Sequence, residues 1–338
     1  MKSKILIINT GGTIGMVKTK KGYAPNGEYF RKALEDMGAL KADIMPKWDM
    51  IETGQLLDSS NMTVEDWNEI GKLVADNYRK YDGFVILHGT DTMAYTASAL
   101  SFMFENLDKP VILTGSQIPL CEVRSDGRDN IISSLLIAAS KKIKEVAIYF
   151  GGNLLRGNRS MKYSADGLTA FVSPGYPLLA EAGISIRYNE AYLMKQGSEE
   201  DFAFVPFENV PIGVIKVFPG IQFSLFESIM TEDLKGIVIE TFGSGNIPQN
   251  GEALLPIIEK AFANGTVVTV CTQCPQGTVS LGAYETSHAL QEAGAVSGLD
   301  ITTEAAVAKL YYLFSKGLSK EQIKKLMGIS LRGEMGNL

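Results

Sequence analysis

The sequence predicts an α/β chain of two domains, a larger N-terminal doubly wound and mostly parallel sheet followed by a smaller C-terminal α/β domain. Three observations carry this. Short continuous apolar runs recur at 5–8, 84–87, 111–113 and 146–150, as strands covered on both faces require. Stretches of helical period lie between them. The alternation breaks once and then resumes with shorter elements.

Taken in order, the run at 5–8 leads into a glycine-rich turn. From Thr63 to Tyr81, Trp67, Ile70, Leu73, Val74 and Tyr78 form one apolar stripe, and Thr63 with Asp66 gives a capping-box start. Further helices are expected at 92–104 and 126–139. Around 187–209 the chain is richer in Glu, Gly and Asn and ends near Pro206 and Pro211. The boundaries read as 1–188 for the first domain, 189–211 for a linker and 212–338 for the second domain. There, strands are expected at 213–218, 236–240 and 266–270. Helices are expected at 223–230, 253–263, 286–293, 302–314 and 320–327.

Composition excludes several classes. A formal net charge of −6 does not suit a nucleic-acid partner, which calls for a basic patch. No apolar stretch reaches the roughly 20 residues of a membrane span, and the N-terminal apolar run is too short for a signal peptide. A cytoplasmic protein is expected. Three cysteines, Cys121, Cys271 and Cys274, build no disulfide framework. Cys271 and Cys274 form a C-x-x-C, but Cys271 continues an apolar run. It reads as a buried strand residue rather than a metal or redox group.

Chemistry-capable residues collect just after the runs, where open α/β sheets bind ligands. After the first comes Asn9-Thr10-Gly11-Gly12-Thr13-Ile14-Gly15, which is neither a Walker loop nor G-x-G-x-x-G. It reads as a simple tight turn, or as a close-approach loop that presents Thr13 as a nucleophile. Tyr23 lies among Gly22, Pro25 and Gly27, in a stretch that reads as a mobile loop able to carry a proton-transfer group. After the second run comes His88-Gly89-Thr90-Asp91-Thr92. Thr90 and Asp91 could be helix caps, and His88 reads as packed rather than as a base. After the third comes Thr114-Gly115-Ser116-Gln117, and beyond the fourth lies Lys162. A Ser-His-Asp hydrolase is disfavoured, with no G-x-S-x-G elbow and only two histidines.

Together these segments resemble the bacterial-type L-asparaginase family, and within it the cytoplasmic (type I) branch. The carrying residues are Thr10-Gly11-Gly12-Thr13-Ile14-Gly15 and His88-Gly89-Thr90-Asp91-Thr92, in matching order and separation, and the resemblance spans the chain. It implies hydrolysis of L-asparagine to L-aspartate and ammonia through an acyl-enzyme, with no cofactor and no metal. It implies Thr13 as nucleophile, Tyr23 as its proton partner, and Thr90, Asp91 and Lys162 as a second catalytic set. Asp58 and Ser59 match the substrate-binding patch, with Ser59 on the α-carboxylate and Asp91 on the α-ammonium. Backbone around Gly12, Gly89 and Thr90 would supply donors, and Ser116 would lie near the departing amide. Asn246 would come from a neighbouring subunit, which implies an intimate dimer and points to a tetramer of two such dimers. Glu240 stands where members with a regulatory asparagine site carry arginine. A carboxylate there repels an α-carboxylate, so that form of regulation is not expected.

Three other readings compete. A glutaminase-asparaginase would differ by one methylene of pocket depth, about 1–3 kcal/mol. An amidotransferase subunit acting on tRNA would carry an added N-terminal domain. A non-enzymatic binder on this fold would not need the full reactive set.

Overall fold

A computed structural model describes residues 2–195, 200–229, 231–248, 254–282 and 285–336. The chain divides into two compact units, Met1–Pro206 and Phe207–Leu338.

The first unit is built on an eight-stranded sheet. Its parallel part runs, in spatial order, Lys47–Leu57, Lys4–Gly11, Gly83–Leu87, Val111–Thr114 and Val146–Phe150. Three short antiparallel strands, Asn153–Arg156, Ala180–Ala182 and Ile186–Tyr188, extend it. Alternate side chains of a strand point to opposite faces. Ile5 and Ile7 join a core with Ile131 and Leu135 of the Gly127–Ala139 helix. Leu6 and Ile8, facing the other way, are equally buried. Burial on both faces is why these strands are continuous apolar runs.

The first strand lies between the second and third, so the chain reverses its direction across the sheet at that point. Such a switch leaves a crevice at the carboxyl ends. Register sets the level of the loops there: Asn9 pairs with Leu87, Gly11 with Leu57, and Leu87 with Thr114. Four neighbouring strands therefore end together.

Some expectations are revised. The stretch around Tyr23 is a two-stranded hairpin, Met16–Thr19 with Gly22–Pro25. It leads into a helix, Gly27–Asp36, that carries only Phe30 and Leu34 into the core. Within 189–211, Ala203–Phe204 pairs with Phe104–Glu105, and Phe202 stacks on Tyr78 at 3.7 Å between ring centroids.

In the second unit, Ile212–Lys216, Gly236–Thr241, Val267–Thr272 and Val296–Ser297 form a parallel four-stranded sheet. Helices Leu254–Ala263, Glu285–Glu292, Thr303–Ser315 and Lys320–Met327 follow the strands. The segment expected as a helix at 223–230 is a 3-10 helix over Phe223–Ile229. The expected ends Met230 and Ala253 lie outside the described residues. Cys271 is buried in its strand, and burial pushes its thiol pKa up, whereas Cys274 is exposed.

Candidate active site

The crevice is assembled from loops that meet without side chains between them. Gly12 has φ 81 and Gly11 φ 109, a region that L side chains rarely adopt. A Cβ on Gly12 would overlap the backbone of Gly89, and one on Gly89 would come within 2.5 Å of Ser59 Oγ. The three loops touch in series, Gly12 against Gly89 and Gly89 against Ser59. Upstream, Asn9 Oδ1 accepts from Gly11 N (3.1 Å) and Asn9 Nδ2 donates to Glu52 (3.1 Å). Thr10 Oγ1 donates to Leu87 O (2.9 Å). The side chains that fix this edge are thus buried or paired.

Thr13 opens a short 3-10 turn, Thr13–Gly15, and is half-buried. Among the described residues its hydroxyl has no hydrogen-bond partner. Thr90 is the opposite case. Its Oγ1 accepts from Lys162 Nζ (2.9 Å) and donates to Gln117 Oε1 (3.2 Å). Lys162 Nζ also reaches Asp91 Oδ1 (2.6 Å). Lys162 is brought in by a two-stranded ladder, Met161–Lys162 with Phe171–Val172. Asp91 keeps 61% of its side chain exposed while Lys162 keeps 20%, so the carboxylate retains room for a further partner.

Backbone donors divide in the same way. The Gly12 N–H is committed to Leu57 O (2.9 Å), so the close approach of Gly12 provides space rather than a donor. The N–H groups of Gly89 and Thr90 have no acceptor among the described residues. Ser59 is buried, and its hydroxyl makes no hydrogen bond among the described residues. Its neighbour Asp58 is exposed and caps the turn at Ser60 N (3.2 Å). Ser116 Oγ donates to Ile118 O (2.7 Å), which leaves its lone pairs free to accept.

His88 is fully buried, with Nδ1 2.7 Å from Gly89 O and Nε2 2.8 Å from Thr96 Oγ1. Burial lowers its pKa to about 4, so it is a neutral structural strut beneath the Gly89 loop. Tyr23 makes its hydrogen bond to Glu122 Oε1 (2.6 Å) and none to Thr13. The Glu122 carboxylate, by accepting a hydrogen bond from the phenol, stabilises its protonated form and raises the Tyr23 pKa. Glu122 is a contribution that no local pattern marks, and Gln117, though it lies in the loop after the third run, gave no sign in the sequence of its contact with Thr90. Asn246 belongs to the second unit. It closes a turn in which Phe242 N donates to Asn246 O (2.9 Å) and Asn246 N to Phe242 O (2.8 Å). There too, Glu240 accepts from Thr303 Oγ1 (2.6 Å) and lies 3.6 Å from Lys216 Nζ.

The uncommitted Thr13 hydroxyl and the lysine-held Thr90 hydroxyl lie on loops in backbone contact at Gly12 and Gly89, and with free N–H donors at Gly89 and Thr90 they suit a hydrolase of the acyl-transfer class. The asparaginase N-terminal family model matches residues 4–193, and the glutaminase/asparaginase C-terminal domain model matches residues 211–327. The chain belongs to the asparaginase family. It is 46% identical to L-asparaginase 1 of Escherichia coli (strain K12) over 334 residues, covering 99% of this chain and 98% of that protein. Among solved structures it resembles L-asparaginase I from Vibrio cholerae O1 biovar eltor str. N16961. That match has a TM-score of 0.92 at 47% identity and covers 100% of both chains. The thermostable L-asparaginase from Thermococcus kodakarensis matches with a TM-score of 0.89 at 32% identity, covering 99% of this chain and 100% of that one. No helix among the described residues is long and apolar enough to cross a membrane.

Proposed function

We propose that this chain hydrolyses L-asparagine to L-aspartate and ammonia, with Thr13 as the nucleophile. The observation that carries the assignment of roles is the contrast between the two hydroxyls. Thr13 Oγ1 is uncommitted, whereas Thr90 Oγ1 is held by Lys162 and Gln117.

In the first half-reaction, Thr13 Oγ1 bonds to the side-chain amide carbon and its proton reaches the departing nitrogen. The C–N bond breaks, ammonia leaves, and an aspartyl ester remains on Thr13. Water then adds to the ester carbon, the bond to Thr13 breaks, and the hydroxyl regains its proton. The N–H groups of Gly89 and Thr90 suit the oxyanion, where one such donor is worth about 10²–10³ in rate. Ser59 takes the α-carboxylate and Asp91 the α-ammonium, a charge-assisted contact. Ser116, its own proton committed to Ile118 O, accepts from the departing amide.

The same reading makes the enzyme a cytoplasmic homo-oligomer, a tetramer of two intimate dimers, in which Asn246 completes the site of a neighbouring copy. Free Cys121, Cys271 and Cys274 suit a reducing compartment.

The test is Thr13→Ala, followed by ammonia release from L-asparagine and, in parallel, from L-glutamine. Turnover is expected to vanish while the circular dichroism spectrum stays that of the parent. Near-parental ammonia release by this variant would overturn the assignment of Thr13. Equal release from both amino acids by the parent would make the enzyme a glutaminase-asparaginase.

A further inference from the structure

The side chain of Gln117 faces the reacting centre through a hydroxyl rather than directly. Its Oε1 accepts from Thr90 Oγ1 (3.2 Å) while its Nε2 donates to Gly167 O (3.2 Å). Its backbone is fixed as well, since Gln117 N and Ile118 N donate to the two oxygens of Asp126 (3.1 and 3.0 Å).

An amide side chain can be turned end for end, so its orientation must be argued from its partners. Turning Gln117 over would set two acceptor oxygens, its own and that of Gly167, against each other. It would also set an NH2 group against Thr90 Oγ1, which already receives Lys162 Nζ (2.9 Å). The Gly167 carbonyl therefore fixes which end of the amide meets Thr90. A hydroxyl has one proton and two lone pairs. With the proton directed at Gln117 and one lone pair taken by Lys162, the remaining lone pair of Thr90 is the part available to a reacting group.

We propose that Gln117 is a positioning residue that sets the hydroxyl rotor of Thr90, holding its proton away from substrate so that Thr90 meets the reacting group as an acceptor. This rests on the assignment of Thr90 to the catalytic set. Such a role predicts an effect on turnover rather than on binding, because Gln117 makes no contact with the α-carboxylate or α-ammonium partners Ser59 and Asp91.

The experiment compares Gln117→Met, Gln117→Glu and Thr90→Val on the full-length enzyme, measuring kcat and KM for L-asparagine and the Tm of each. Methionine matches the length of glutamine but offers Thr90 no comparable acceptor. Glutamate keeps an acceptor for Thr90 and gives up the donor to Gly167. Gln117→Met is expected to lower kcat about tenfold, the scale of one oriented hydrogen bond, with KM within about twofold. Gln117→Glu is expected to retain most of kcat. If the glutamate variant falls as far as the methionine variant, Gln117 acts by holding the Gly167 loop and the proposal fails. A change confined to KM overturns it too. Thr90→Val separates the two levels. If that variant is inactive while the Gln117 variants behave alike, only the role of Gln117 is lost. If it is fully active, the placing of Thr90 itself is wrong and the proposal falls with it.

Discussion

A Cβ placed on Gly12 would come within 2.5 Å of the Cα of Gly89. The two loops that carry Thr13 and Thr90 are thus in direct backbone contact, and each threonine's position is tied to the other's.

Gly12→Ala should therefore damage fold and catalysis together. It adds a side chain at φ 81 and forces the two loops apart. A cost of about 2–4 kcal/mol in urea unfolding is expected, with ammonia release down at least about a hundredfold. Gly220 serves as the control. Its φ is 84, and nothing lies within 4 Å of an added Cβ. Gly220→Ala should lose only the left-handed strain, about 1 kcal/mol. Equal losses of stability in the two variants would show that backbone conformation, not loop contact, governs Gly12.

Lys162 joins Thr90 and Asp91 through a single nitrogen. Lys162→Met removes both contacts and should lower kcat/KM by about a hundredfold or more. Lys162→Arg keeps a charge for Asp91 and should retain part of the rate, although a planar fork does not reproduce one compact ammonium. Steady-state ammonia release measures both variants. Identical rates would remove the charge from the argument.

Glu122 holds the Tyr23 phenol (2.6 Å) and raises its pKa. If the protonated phenol is the working form, activity is lost as pH rises through that elevated pKa. In Glu122→Gln the charge is gone and the Tyr23 pKa returns toward its ordinary value. The alkaline limb of kcat/KM against pH should then move to lower pH. A limb that stays in place would show that Tyr23 does not titrate in catalysis.

His88 gives a stability signature. Its folded pKa, about 4, lies below its ordinary value of 6.5, so below pH 6.5 the unfolded chain binds the proton first. The contribution of the neutral buried ring is full above pH 6.5 and is lost as pH falls toward 4, on the order of 3 kcal/mol. The difference in unfolding free energy between the parent and His88→Gln should shrink over that interval. A pH-independent difference would mean that the ring is protonated in the fold.

The fold was largely legible because a strand buried on both faces leaves a continuous apolar run, as at Phe84, Val85, Ile86 and Leu87. The strand Lys47–Leu57 escaped detection because it lies at the edge of the sheet, and most of its residues are only partly buried or exposed. The Gly27–Asp36 helix escaped because only Phe30 and Leu34 face inward. Thr13, Thr90 and Ser116 could be picked out as loop residues following strands, and a parallel sheet brings such loops together, whereas Ser59 follows the undetected strand and was reached only through the family resemblance. Lys162 came to Thr90 through the family resemblance, but the partners Glu122 and Gln117 were not legible. Tyr23 and Glu122 are 99 positions apart, and Thr90 and Gln117 are 27 apart, distances across which no sequence period operates.

The stacking of Gly12 on Gly89 and of Gly89 on Ser59 also bears on how activity returns after denaturation. Those contacts join chain segments dozens of residues apart, and contacts of that separation form late because loop closure must precede them. No fragment lacking any one of the first three parallel strands can present the assembled crevice. The recovery of ammonia release in a refolding experiment therefore cannot precede closure of the central sheet, and in the proposed oligomer it also waits on assembly of the copies. It should lag the recovery of helical ellipticity, which local segments such as Gly127–Ala139 can regain on their own.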